Sequence, residues 1–171
     1  SHDKPGHNHI EAVEGSPHIV NGPGEYEIGG VFITGVQTNE HAGKDEVRNV
    51  LYLFDFNGLN IAHLGAVTRV PTQAEVEALG PVQILLLPIG GDTTLDAAHA
   101  AEVVNLFEPN IVIPMHYALS GETDTENLNK FLKQMGIVDH VDTLDLLKLV
   151  SSSSLPEETR VVVLNQKPGE R

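Results

Sequence analysis

Two apolar runs, each meeting a proline, constrain this chain more than any other feature. Val82 to Leu87 is almost continuously apolar and meets Pro88, and Asn110 to Ile113 repeats the pattern ahead of Pro114. A strand without polar alternation has to be covered on both faces, which is the situation of strands in a parallel sheet flanked by helices. Helical signals stand between and after these runs. Pro71-Thr72-Gln73-Ala74-Glu75 offers a Thr cap with Glu three residues on, and Gly80-Pro81 closes the short helix it opens. Thr93 with Asp96 predicts a helix running to Phe107. Thr123 with Glu126 opens another, in which Leu128, Phe131, Leu132 and Met135 recur at i, i+3, i+4 and i+7 and Gly136 supplies the C′ stop. Arg160 to Leu164 reads as a closing strand.

Ahead of residue 71 the signals are those of hairpins. Ile19-Val20 ends at the turn-forming Asn21-Gly22-Pro23-Gly24. Tyr26 to Ile28 and Val31 to Ile33 flank Gly29-Gly30. Val50 to Phe56 and Leu59 to Ile61 flank Asn57-Gly58, whose tolerance of positive φ suits a type I′ turn. Hairpins followed by alternating strands and helices predict an α/β fold, a mixed sheet with helices outside it. The 171 residues suffice for one domain, 1–171, with a substantial core. Ser151 to Ser154 reads as a surface loop and not as a domain linker.

Charge and composition narrow the function classes. Against 24 acidic residues stand 10 basic ones, a formal charge of −14, with no basic stripe of the kind that tracks phosphates. Neither nucleic acid nor an anionic membrane surface is expected as a partner. No apolar run approaches the eighteen or so residues of a membrane helix, and no signal-peptide pattern opens the chain, so a cytoplasmic protein is expected. Cysteine is absent, which leaves His and carboxylates to hold any metal.

Polar residues reach expected strand ends in three places: Ser1 to His9, His63-Leu64-Gly65-Ala66, and Pro114-Met115-His116-Tyr117. In open α/β sheets, ligands gather at the carboxyl ends of strands. A single His after a strand is more often structural than functional, so convergence of these segments would be the stronger evidence. His63 reads as a half-buried strand residue and not as a ligand, and His18, His99 and His140 read as surface residues. Gly90-Gly91-Asp92-Thr93 lacks the Lys of a phosphate loop and reads as a close turn with a helix cap.

Taken together, these segments resemble the metallo-β-lactamase superfamily. Ser1-His2-Asp3-Lys4-Pro5-Gly6-His7-Asn8 is similar to its metal-binding H-x-H-x-D-H motif. Gly22 to Gly35 is similar to the segment that follows, His63-Leu64-Gly65-Ala66 to its H-L-G-D step, and Leu87-Pro88-Ile89-Gly90-Gly91 to its P-x-G-G strand end. Ile113-Pro114-Met115-His116-Tyr117 and Ser154 to Val163 complete the series in order. Within the superfamily the chain resembles the UlaG-like Zn-dependent hydrolases, relatives of ascorbate-6-phosphate lactonase. The resemblance implies an αββα sandwich whose first strands lie ahead of Ser1. A partner chain supplying those strands, or self-association, is therefore expected to cover the sheet edge.

The resemblance also implies a dinuclear metal site, and the residues here depart from it. The first metal of the family takes both histidines of H-x-H and a later His; here His2 remains, Lys4 replaces the second, and the third falls near Glu40 and His41. The second metal takes the Asp and His of D-H, the His of M-H-Y and the Asp of L-G-D. Here Gly6 and Ala66 stand for the two carboxylates, while His7 and His116 survive. His2, His7 and His116 are thus the remnant metal ligands, with no residue assigned a catalytic role. A catalytic zinc needs three protein ligands and an open position, and a missing general base alone costs roughly 10²–10⁴ in rate. The expected cofactor is none, or one weakly held zinc or manganese ion. Three functions follow from the resemblance: an inactive hydrolase-like binding or assembly module; a single-metal hydrolase of a small ester, lactone or phosphorylated substrate; and a metal-free enzyme using Lys4 beside His7 and His116.

Overall fold

The computed structural model describes residues 10–38, 49–91, 94–117, 122–149 and 151–165. Its elements are β1 (Gly24–Ile28), β2 (Val31–Gln37), β3 (Val50–Phe56), β4 (Leu59–His63), α1 (Gln73–Leu79), β5 (Ile84–Pro88), α2 (Ala97–Phe107), β6 (Ile111–Met115), α3 (Glu122–Gln134), β7 (Asp142–Leu144) and β8 (Arg160–Leu164). They form a mixed α/β fold around one eight-stranded sheet in the order β1-β2-β3-β4-β5-β6-β8-β7. The first four strands are antiparallel neighbours, and from β4 onward every pairing is parallel. The change from hairpin signals to strand–helix alternation in the sequence is this change of pairing.

Both hairpins turn where glycine or asparagine tolerates positive φ. Gly29 and Gly30 (φ 60° and 81°) join Ile28 to its partner Val31, and Asn57 and Gly58 (φ 55° and 76°) join Phe56 to Leu59. The capping box of α1 forms as the sequence predicts, with Thr72 Oγ1 accepting from Glu75 N–H and the Glu75 carboxylate accepting from Thr72 N–H. The end of α3 is a Schellman motif: Gly136 N–H donates to Lys133 O, Ile137 N–H donates to Leu132 O, and Gly136 takes φ 74°.

Several details differ from expectation; Thr123, read as opening α3, lies inside it, one residue after its start at Glu122. The cap of α2 is Asp96 and not Thr93, because the Asp96 carboxylate accepts from His99 N–H at 2.9 Å and so sets the first turn there. Pro114 does not stop β6 but sits inside it, paired with Leu87. Ile111 N–H and Met115 C=O bond toward β5, so Val112 and Pro114 face β8. The β6–β8 ladder ends at Val112, short of Pro114, which has no N–H to donate to β8, while the β5 side of β6 stays paired through Met115. Short β7, docked parallel on β8, carried no sequence signal of its own.

All three helices cover the same face of the sheet. Leu51, Leu53, Ala62, Leu85, Leu87, Val112 and Val161 point into this layer and meet Leu79 of α1, Val103, Val104 and Phe107 of α2, and Phe131 and Leu132 of α3. The opposite face carries a second set of apolar residues, among them Ile33, Tyr52, Ile84, Ile111 and Val162, against which Val20, Leu147, Leu149 and Leu155 pack. No helix among the described residues is long and apolar enough to cross a membrane.

Candidate functional site

Parallel pairing of β4, β5 and β6 places their carboxyl ends side by side. The segments that leave them are Leu64-Gly65-Ala66, Ile89-Gly90-Gly91 and His116-Tyr117. Because β3 runs antiparallel to β4, Asn49 at its start belongs to the same edge, and so does Thr38 at the end of β2. The topology thus brings the second and third of the predicted polar segments to one sheet edge. The first segment, with His2, Lys4, Gly6 and His7, lies outside the described residues, as do Glu40 and His41.

His116 is half-buried and takes φ 57°, left-handed backbone that costs a non-glycine residue on the order of 1 kcal/mol. The neighbouring β5 turn packs closely against it. A Cβ placed on Gly90 would lie 2.3 Å from the His116 carbonyl oxygen and 3.1 Å from its Nδ1, so only glycine admits this approach. The turn itself is fixed on both sides. Gly90 N–H donates to Thr94 Oγ1 at 2.8 Å, and Asn127 Nδ2 of α3 donates to Gly90 O at 3.2 Å. Gly90 and Gly91 thus form the close turn expected of them.

The turn after β4 is held by Asn49. Its Oδ1 accepts from Ala66 N–H at 2.9 Å, while its Nδ2 donates to Leu64 O at 3.1 Å and to Thr38 Oγ1 at 3.3 Å. Thr38 N–H donates to Asn49 O at 3.1 Å, so the two residues clasp each other across the edge. Arg69 extends the clasp: its guanidinium donates to Thr38 O and forms a two-bond pair with the Glu75 carboxylate at 2.6 and 2.9 Å. Glu75 is also the capping-box residue of α1, which couples that helix start to the end of β2. Among the described residues the buried polar side chains are Thr38, Asn49 and Thr94, and all three belong to this edge. None was legible as a site residue in the sequence: Asn49 precedes an apolar strand and Thr38 follows one, positions that surface residues fill equally well.

His63 is a half-buried residue of β4, as its sequence context predicts. It sits between Tyr52 and Leu86 in the register, on the face away from the helices, and its Nδ1 accepts from Gly65 N–H at 3.1 Å. Burial pulls its pKa below the ordinary histidine value. A folded-state pKa below the unfolded value of about 6.5 means the unfolded chain binds the extra proton first, so stability is lost as pH falls below that value. Urea midpoints measured between about pH 7.5 and pH 5.5 should decline, and His63→Gln should flatten that decline. An identical slope in the variant would remove His63 as the source. His18, His99 and His140 are exposed, again as predicted.

The donor set decides what this edge can hold. His116 offers one imidazole, Ala66 offers a methyl group, and Leu64, Gly65, Ile89, Gly90 and Gly91 offer no side-chain ligand. Among the described residues no three His, Cys, Asp or Glu side chains are grouped to hold a metal ion. The described residues of this edge thus supply one of the three remnant ligands, His116, where a catalytic zinc needs three protein ligands.

A family model described as the β-lactamase superfamily domain matches residues 1–116. A UPF0173 protein of Pyrococcus furiosus is 39% identical over 77 residues, covering 45% of this chain and 36% of its own length. A UPF0173 metal-dependent hydrolase of Thermococcus kodakarensis is 37% identical over 99 residues, covering 55% of this chain and 44% of its own. The matches thus span less than half the length of these two curated relatives. Among solved structures, a protein of Thermotoga maritima assigned to the Zn-dependent hydrolases of the metallo-β-lactamase superfamily superposes with a TM-score of 0.77 at 32% identity, over 96% of this chain and 78% of that one. A metallo-hydrolase of Ignicoccus hospitalis shares the fold at a TM-score of 0.54 and 19% identity, over 86% of this chain and 57% of its own.

Proposed function

The chain belongs to the β-lactamase superfamily domain family of metal-dependent hydrolases, and we propose that it keeps the family scaffold while having lost the ligands that make a metal-bound hydroxide. In this reading it acts as a binding or assembly module and not as a hydrolase. The observation that carries the reading is Ala66. It occupies the position where the resemblance places a bridging carboxylate, and its backbone N–H is held by Asn49. A methyl group there can neither ligate a cation nor orient a water molecule. Lys4 and Gly6 at two further ligand positions act in the same direction, since an ammonium repels a dication and glycine brings no donor. His2, His7 and His116 remain as imidazoles, one fewer kind of ligand than the family chemistry uses.

Metal content tests this. The protein expressed in medium supplemented with zinc and manganese should carry well under one equivalent of either after gel filtration, measured by elemental analysis, and chelation should leave its behaviour unchanged. One tightly held equivalent, removed by chelator together with hydrolysis of an ester, lactone or phosphorylated substrate, would establish the single-metal hydrolase instead.

A further inference from the structure

The described polar side chains buried at this sheet edge all serve backbone, and one of them serves the residue that matters most. Asn49 is only 6% exposed, and burying an amide is costly unless its hydrogen bonds are made. Its carboxamide bridges both ends of the Leu64-Gly65-Ala66 turn, accepting from Ala66 N–H and donating to Leu64 O. The contacts on the turn use backbone atoms, so they are indifferent to the side chain at 66. Thr38 clasps Asn49 from the other side, with Thr38 Oγ1 donating to Asn49 O at 3.3 Å. The second turn at the edge has a separate clasp in Thr94 and Asn127. The two turns are therefore fixed independently of one another.

We infer that Asn49 is the positioning residue of this site: it presets the turn that carries residue 66 on the His116 edge, whatever side chain residue 66 bears. The inference rests on the eroded-site reading for its functional meaning and on hydrogen bonds alone for its physical content. Outer groups that orient a metal ligand typically matter by 10–100-fold in affinity. Retaining such a group beside Ala66 leaves the edge one side chain away from presenting a carboxylate.

Amide hydrogen exchange followed residue by residue separates positioning from general stability. In Asn49→Ser the Ala66 amide should exchange about tenfold faster than in the parent, while the Gly90 amide, held by Thr94 Oγ1, keeps its protection. Asn49→Asp retains the acceptor for Ala66 N–H and should restore most of that protection even where the melting temperature falls. Equal loss at Ala66 and Gly90 in Asn49→Ser, or none at either, would overturn the assignment. A second arm uses zinc itself as probe in the variant Lys4→His, Gly6→Asp, Ala66→Asp, where adding Asn49→Ser should weaken zinc binding about tenfold. Absence of zinc uptake in that background counts against the eroded-site reading, and the exchange data still decide the role of Asn49.

Discussion

Gly90→Ala should lower the stability of this protein by about 3 kcal/mol, a drop of roughly 6–12 °C in melting temperature for a chain of this size. The added methyl would stand 2.3 Å from the carbonyl oxygen of His116, where no Cβ can remain, so one of the two segments has to shift. Neither is free to do so cheaply. Gly90 is held by Thr94 and Asn127, and His116 follows the last ladder contact of β6, with Met115 O accepting from Ile89 N–H at 3.0 Å. The left-handed backbone of His116 lies directly against this turn, so the variant should also displace the His116 backbone. Urea unfolding gives the stability change, and chemical shifts of His116 give the local one. A loss under about 0.5 kcal/mol would mean that the approach of the two turns is looser than the structure has it.

Phe131→Ala should cost about 4 kcal/mol. Phe131 is fully buried in the layer between α3, α2 and the sheet, and its removal leaves a cavity where relaxation is limited by neighbours on all sides. The consequence reaches the site. The α3 helix delivers Asn127 to Gly90 O, and the helix is anchored mainly by Phe131 and Leu132, with its far end closed by Gly136 and Ile137. Loosening the anchor should therefore raise amide exchange in the Gly90 turn as well as lower the unfolding midpoint. Calorimetry together with exchange at Thr94 and Gly90 checks both. A large stability loss with an unaltered Gly90 turn would show that Asn127 is not held through Phe131.

How far the sequence could be read depended on whether a residue's role was local. Gly29-Gly30 and Asn57-Gly58 specify their turns by backbone preference alone, and both hairpins turn at these residues. Leu128, Phe131, Leu132 and Met135 specify a buried helix face by spacing, and the Thr72–Glu75 box specifies a helix start. The parallel sheet followed from two nearly continuous apolar runs. Pro114 misled because a proline's cost depends on which neighbour its missing N–H would have faced, and that is a property of strand order. Thr93 misled because two cap-forming residues stood three apart, and the one whose carboxylate accepts from His99 N–H set the helix start. At the site, Ala66 and His116 were legible through resemblance. Asn49, Thr38 and Arg69 were not, because each acts on backbone atoms far away in the chain: Asn49 lies 17 residues from Ala66, and Arg69 lies 31 from Thr38. Such partners are set by topology, and no local pattern encodes them.

Calorimetric zinc titration of the parent chain beside the variant Lys4→His, Gly6→Asp, Ala66→Asp tests the central claim most directly. An intact scaffold that has lost its ligands predicts weak or absent binding by the parent and at least one tightly bound zinc in the variant. Tight binding by the parent, or none by a folded variant, would contradict it.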